Sequence, residues 1–310
     1  MKILKKIVSS ILVVLVVSTL VFVAFSVIPG DPAVAKLGTM ATPEQLENLR
    51  QAMGLTDPLP VRYVHWVLGV LQGDFGTSYS YGIPVTDLIA DKLPVTVTMA
   101  IISMFIMIVL AVVLAIYSAY HEHSLLGRAI GVINQVIMSI PPFFGGIIIT
   151  LIFGLTFKLF SPGGYISYDI NLGKFIGYMI WPAIAIALPK ASMAYSLLLS
   201  GLIGEKKKDY VRTAYSRGNS SKAVFYRHIL KNACIPVITF LGMAFADMIA
   251  GTLVIEQVFG IPGLGMILLT SIQNRDYPVV EAIIVCIAVL VIFSNLLVDI
   301  LYKVVDPRTR

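Results

Sequence analysis

Charge is the scarcest commodity in this chain. Only 13% of its 310 residues are Asp, Glu, Lys or Arg, about half the share of a typical soluble domain. A water-soluble fold of this length cannot be covered by so few polar groups, because the surface left after packing a core must still be solvated. Cysteine is nearly absent as well. Cys234 and Cys286 lie in apolar stretches with no partner at metal or redox spacing, which excludes a disulfide scaffold and reads as core packing. No CxxC, HExxH or GxSxG occurs, and the 24 glycines fit neither a collagen-like nor a disordered chain. Hydrocarbon is what the chain has in abundance: 57% of its residues are hydrophobic and the mean hydropathy is +0.88. The composition is that of a polytopic membrane protein.

Ile7 to Ile28 is 22 residues without a charge, preceded by Lys2, Lys5 and Lys6. A signal peptide also begins basic, but its apolar region runs about 7–15 residues before a small-residue cleavage site. This run is longer and leads into Pro29-Gly30-Asp31-Pro32, so it reads as a membrane helix. Further apolar runs at 95–117, 129–156, 175–203, 234–255 and 279–302 are each long enough for a hydrocarbon core of ~30 Å. Six spans put both termini on one side. With that side cytoplasmic, the cytoplasmic segments carry 15 Lys and Arg, against 7 in the opposite segments. This is the bias that orients membrane proteins.

The expected organisation is a first span at 1–28, an outer segment at 29–94, a five-helix core at 95–302 and a cytoplasmic tail at 303–310. The outer segment has its own helix signals. Thr42-Pro43-Glu44-Gln45 is a capping box with proline at the first helical position, and Gly54 closes that helix. A second helix is expected over 60–72, with Val61, Val64, Leu68 and Leu71 on one side, lying on the membrane surface or capping the outer mouth.

The segment 204–233 reads GEKKKDYVRTAYSRGNSSKAVFYRHILKNA, with eight basic residues against two acidic. An anionic-lipid patch would need only the charge. The pattern adds more: Asp209 to Arg217 is helix-compatible, Gly218 suits the left-handed position after a helix, and Asn219 or Ser220 can cap a second helix through Asn232. Thr213, Ala214 and Gly218 are small, as a docking element requires where a partner's groove approaches the backbone.

Arg212-Thr213-Ala214 with Gly218, followed by His228, Asn232-Ala233 and Pro236, resembles the coupling (EAA) loop of ABC-importer permeases, specifically the oligopeptide/dipeptide/nickel permease family of the first-subunit type. Pro29-Gly30-Asp31-Pro32, Gly73-Asp74-Phe75-Gly76-Thr77-Ser78, Ser139-Ile140-Pro141, Phe259-Gly260-Ile261-Pro262-Gly263-Leu264-Gly265 and the ending Asp299, Tyr302 and Asp306-Pro307-Arg308 match in the same order. The resemblance covers nearly the whole chain. One departure is Arg212, where the generic loop has glutamate, and it narrows the subfamily.

The resemblance implies an all-α integral membrane subunit with six transmembrane helices and the type I importer permease fold. It implies a bacterial inner membrane location, a second homologous permease, two ABC ATPases carrying ATP and magnesium, and an extracytoplasmic substrate-binding protein. Asp209, Arg212, Thr213, Ala214, Gly218 and Ser220 would form the ATPase-coupling surface. The chain itself would bind no cofactor or nucleic acid and perform no catalysis. A P-loop requires GxxxxGK[ST], and the single Gly-Lys pair, Gly173-Lys174, is followed by Phe175 without the upstream glycine. The cargo reads first as a short peptide, with chelated nickel or glutathione as alternatives.

Two charges fall inside the spans. Lys190 follows Pro189 in the fourth, and Asp247 sits mid-way along the fifth. Each costs roughly 2.5–3.5 kcal/mol at a helix centre. Both are candidates to line the translocation pathway; alternatively they pair with each other or face the partner permease. Glu256, Glu281 and Asp299 are expected at the interface. His121, His123 and His228 show no convergent metal set. An ion-coupled secondary transporter would show internal repeats and several deep acids, of which only Asp247 is present. An intramembrane aspartyl protease would need a second facing aspartate, for which Asp299 is too near a helix end.

Overall fold

The computed structural model describes residues 2–27, 30–38 and 40–305. Pro29 and Asp306-Pro307-Arg308 lie outside the described residues, as do the side chains of Asp299 and Tyr302. The regular elements described are all helices, in the order α1 (Lys2–Val27), α2 (Pro32–Leu37), α3 (Pro43–Ala52), α4 (Leu59–Leu71), α5 (Val85–Tyr120), α6 (Leu125–Ser139), α7 (Pro142–Ile149), α8 (Leu172–Lys206), α9 (Asp209–Ser216), α10 (Ser221–Val224), α11 (Leu230–Phe259), α12 (Leu264–Gln273) and α13 (Tyr277–Val305). A π-helical stretch at Thr150–Thr156 extends α7, and another at Phe225–Ile229 joins α10 to α11.

Five helices are long and apolar enough to cross a membrane: Val8–Val27, Val85–Tyr120, Leu172–Lys206, Ser221–Phe259 and Tyr277–Leu296. The stretch at 129–156, read as one span broken at its prolines, is a pair of helices bent by 107°. Pro141 and Pro142 are the cause, since neither can donate to the preceding turn and Ile140 is driven to extended backbone (φ −83°, ψ 121°). Counted as one broken span, the pair brings the number to six.

The chain divides into two compact units, Met1–Thr96 with Pro262–Ile292, and Val97–Ile261 with Phe293–Arg310. In the first, Asp31 caps α2 through the Ala33 N–H (2.9 Å) and is held by Arg50 (2.6 Å). The capping box of α3 forms as its sequence dictates, with Thr42 and Gln45 each bonded to the other's backbone N–H. Gly30 has φ +133°, a backbone conformation that favours glycine, and the Arg275 guanidinium lies against it. The Thr96 hydroxyl accepts from the Leu264 N–H (2.9 Å) and fixes the start of α12.

In the second unit α8 is the central helix, packed by α6, α7 and α11. Its buried residues include Ala183, Ala185, Ala187, Ala191 and Ala194, small side chains that let neighbouring backbones approach where lipid supplies no hydrophobic drive between helices. Gly201 meets the Ala233 carbonyl across α8 and α11. Polar side chains add directional bonds: buried Asn134 of α6 donates to the Ser192 carbonyl and the Ser196 hydroxyl (both 3.1 Å). Tyr178 donates to the Phe259 carbonyl (2.7 Å), where Gly260 takes the left-handed conformation that ends α11.

Glu256 and Glu281, expected at the interface, are instead buried, at 0% and 6% exposed. Helical phase explains this. Glu256 shares the packed stripe of Ile249, Thr252 and Phe259, and Glu281 lies one turn from both Tyr277 and Val285, all buried. Distance from a span end had placed them at the surface, but the face they occupy turns inward.

Candidate functional site

The hairpin forms where its turn chemistry puts it. Lys206 ends α8, α9 starts at Asp209, and Arg217 caps it by donating to the Thr213 carbonyl (3.1 Å). Gly218 follows with φ +80°. A Cβ there would meet nothing within 4 Å, so the left-handed backbone alone demands glycine. Asn219 donates from its side chain to the Ala214 carbonyl (3.0 Å), and Ser220 caps α10 through the Ala223 N–H (3.4 Å). The second arm does not stop at Asn232. It continues as one helix from Ser221 to Phe259, so the hairpin's outgoing arm is the start of the fifth span.

Asp209, Arg212, Thr213, Gly218 and Ser220 are exposed on this hairpin. Ala214 is the exception among the candidate residues. At 7% exposed it lies on the inward face of α9 with Val211, so its small size serves packing within the chain and leaves it no open surface.

A polar cluster absent from the sequence reading braces the hairpin. Glu205, at the end of α8, accepts from Lys208 and from the Tyr210 hydroxyl, each at 2.5 Å. The Asn232 side chain donates to the same hydroxyl (3.1 Å). Tyr210 thus ties α8, α9 and α11 together, and burial, reinforced by the bond to Glu205, raises its phenol pKa. Lys206 donates to the Ala119 carbonyl, and the Phe225 ring lies 4.5 Å from that of Tyr120, both fixing the hairpin to the end of α5. No periodicity signals this cluster, because its members come from three helices.

Lys190 of α8 and Asp247 of α11 meet, Nζ to Oδ2, at 2.5 Å. The lysine side chain is 21% exposed and the aspartate 61%. Asp247 stands on an open stripe of α11 with Met243 and Val254. An ion pair within a span that remains open on one side requires protein or water there, because lipid would leave the charges uncompensated.

A further buried acid carries no signal in the sequence. Asp276 is fully buried between α12 and α13, and its carboxylate accepts from the Ser78 hydroxyl (2.5 Å) and from the N–H groups of Tyr79 (2.9 Å) and Ser80 (3.0 Å). The Ser78 hydroxyl in turn accepts from the Tyr81 N–H (2.9 Å). The loop that follows Gly73-Asp74-Phe75-Gly76 is thereby bonded to the α12–α13 turn. Burial pushes the neighbouring Tyr79 phenol up to about 12. Among the described residues no group of three or more His, Cys, Asp or Glu is arranged to hold a metal ion.

Residues 111–310 match the family described as "Binding-protein-dependent transport system inner membrane component", and residues 1–100 match "Binding-prot-dependent transport system membrane comp, N-term". The chain belongs to this family. It is similar, at 33% identity over 308 residues (99% of this chain, 98% of the relative), to the "Probable peptide ABC transporter permease protein y4tP" of Sinorhizobium fredii. It is likewise 33% identical over 309 residues (99% and 98%) to the "Oligopeptide transport system permease protein AppB" of Bacillus subtilis. Identity is 32% over 308 residues (99% and 98%) to the "Glutathione transport system permease protein GsiC" of Salmonella typhi. In structure it resembles the inward-facing MetNI methionine ABC transporter, with a TM-score of 0.52 and 17% identity over 71% of this chain and 96% of that one. The fold is that of a type I ABC-importer permease. The chain is a multi-span subunit of the inner membrane and not itself an enzyme.

Proposed function

We propose that this permease carries short peptides inward as half of a translocation pathway, with a second homologous permease as the other half. Its hairpin would seat on a cytoplasmic ABC ATPase, and an extracytoplasmic binding protein would deliver the cargo. The observation that carries the coupling assignment is the hairpin itself, whose outer side chains are exposed while Glu205, Tyr210 and Asn232 hold it from behind. A rigid element continuous with a membrane helix can convert closure of the ATPases into rotation of the bundle. Asp209, Arg212, Thr213 and Ser220 form the contact surface, and Gly218 sets the angle between the arms. Ala214 supports that surface from within.

The peptide assignment rests on relatives named for peptides, oligopeptides and glutathione, the last a tripeptide. Lys190 and Asp247 are assigned to the wall shared with the second permease or with the pathway, where an ion pair open on one side can meet a zwitterionic cargo. Uptake of labelled di-, tri- and pentapeptides, glutathione and a nickel chelate, compared between cells with and without this chain, tests the cargo. Peptide uptake that depends on the chain is expected, and uptake of nickel chelate alone would overturn the peptide reading. Disulfide trapping of Thr213→Cys against single-cysteine ATPase subunits tests the seat. A cross-link is expected, and a cross-link to the second permease would place the hairpin elsewhere.

A further inference from the structure

Helix α4 does not lie where a loop helix in water would. The Tyr63 hydroxyl bonds to the Thr19 hydroxyl (2.7 Å), the Ser18 hydroxyl (3.2 Å) and the Leu15 carbonyl (3.5 Å) of α1. Ser18 sits mid-way along the apolar window Val8–Val27, about 15 Å from either end. The helix then follows α1 away from Phe22, whose ring lies 5.2 Å from that of Tyr63. Trp66 and Val70 of α4 share with Ile11 and Val14 of α1, and Val285 and Val289 of α13, an apolar crevice of about 320 Å³. Val285 and Val289 lie roughly 12 and 18 Å along α13 from Tyr277. Both spans therefore place α4 within the apolar zone and not at its edge.

The other side of α4 is a stripe of Val61, Val64, Leu68 and Leu71, exposed by between 41% and 78%. Leu12 and Val16 of α1 are likewise exposed, on a helix long and apolar enough to cross the bilayer. A 13-residue apolar helix is too short to span a bilayer but long enough to enter one and turn back. The turn follows at once. Gly69 accepts from the N–H groups of Gln72 and Asp74 (both 2.9 Å), and Asp74 accepts from the Gly76 N–H (2.8 Å), while Gln72, Gly73 and Asp74 remain exposed. Irregular backbone carrying a charge at this depth is stable only against protein or a water-filled cavity.

We propose that α4 is a re-entrant membrane helix, its Val61–Leu71 stripe in contact with lipid acyl chains and its tip at Gln72–Asp74 lining a water-filled cavity of the assembled transporter. The test uses the complete transporter in lipid bilayers, with Cys234, Cys286 and the partners' cysteines replaced and a nitroxide attached at Leu68→Cys, Val64→Cys or Gln72→Cys. Relaxation by oxygen, which concentrates in hydrocarbon, is compared with relaxation by a water-soluble nickel chelate. Labels at 64 and 68 should favour oxygen several-fold, and the label at 72 should favour the chelate. Chelate access at 64 and 68 would overturn the embedding. Exclusion of both reagents there would show that a protein partner covers the stripe, and oxygen preference or double exclusion at 72 would overturn the aqueous cavity.

Discussion

The Asp276 corner and the 204–233 hairpin are both turns between helices organised around a hydrogen-bonded acid, yet they spend their polar groups differently. At the corner Asp276 is fully buried, and the donors of Ser78, Tyr79 and Ser80 all point into it. At the hairpin Glu205 and Tyr210 turn inward while the side chains of Asp209 and Arg212 remain open. A corner with its donors and acceptors used internally is a structural joint. A braced turn with unspent polar side chains is a surface held in shape for something else. Substitutions at the corner should therefore cost stability, and those on the outer hairpin should cost transport alone.

The largest effect belongs to Asp276→Ala, which strands the Ser78, Tyr79 and Ser80 donors at about 1–3 kcal/mol for each that stays buried. Loss of folded protein from the membrane is expected, and Asp276→Asn, which keeps an acceptor, should recover part of it. Wild-type thermal unfolding of Asp276→Ala would remove the distinction between the two turns. Alkaline pH probes the same corner. Burial pushes the Tyr79 phenol up to about 12 in the fold, above the ordinary tyrosine value of about 10. Because its folded pKa is raised, its contribution is whole below pH 10 and is lost as pH rises from 10 through 12, by about 2–3 kcal/mol in total. The difference in unfolding midpoint between wild type and Tyr79→Phe should narrow over that window, and a constant difference would show the phenol to be solvated.

Tyr210→Phe removes the bonds to Glu205 and Asn232 from behind the hairpin, so about 1–2 kcal/mol of stability should go, together with part of the uptake rate. An unfolding midpoint equal to wild type would mean that the brace is not needed. The smallest stability change is expected for Arg212→Ala, within about 0.5 kcal/mol as for other exposed sites, while uptake falls sharply. Destabilisation by Arg212→Ala without loss of uptake per folded transporter would invert the comparison.

What could be read from the sequence was local. The capping box at Thr42 and Gln45 and the left-handed turn at Gly218 are set by residues a few positions apart, and both occur as read. Spans announce themselves by length and hydropathy, and five long helices with one bent pair result. What escaped was long-range or depended on phase. Ser78 and Asp276 are 198 positions apart, and no pattern in either stretch reveals the other. Glu256 and Glu281 were placed by distance along the span, whereas the face they occupy decides their burial. The small size of Ala214 is visible in the sequence, whereas its place on the inward face of α9 beside Val211 follows from helical phase. Lys190 and Asp247 were each visible as intramembrane charges, and their contact awaited the packing of α8 on α11.

The coupling role of the hairpin is the central claim, and Gly218→Val tests it most directly. With φ +80° and no atom within 4 Å of a Cβ, the substitution acts first on the left-handed turn, at a cost of roughly 1–2 kcal/mol. The assembled transporter should be purified from membranes and assayed for bound ATPase and for peptide uptake. Normal insertion and pairing with the second permease, with uptake abolished and the ATPases released or hydrolysing ATP without transport, is the predicted result. Uptake at the wild-type rate would contradict the account.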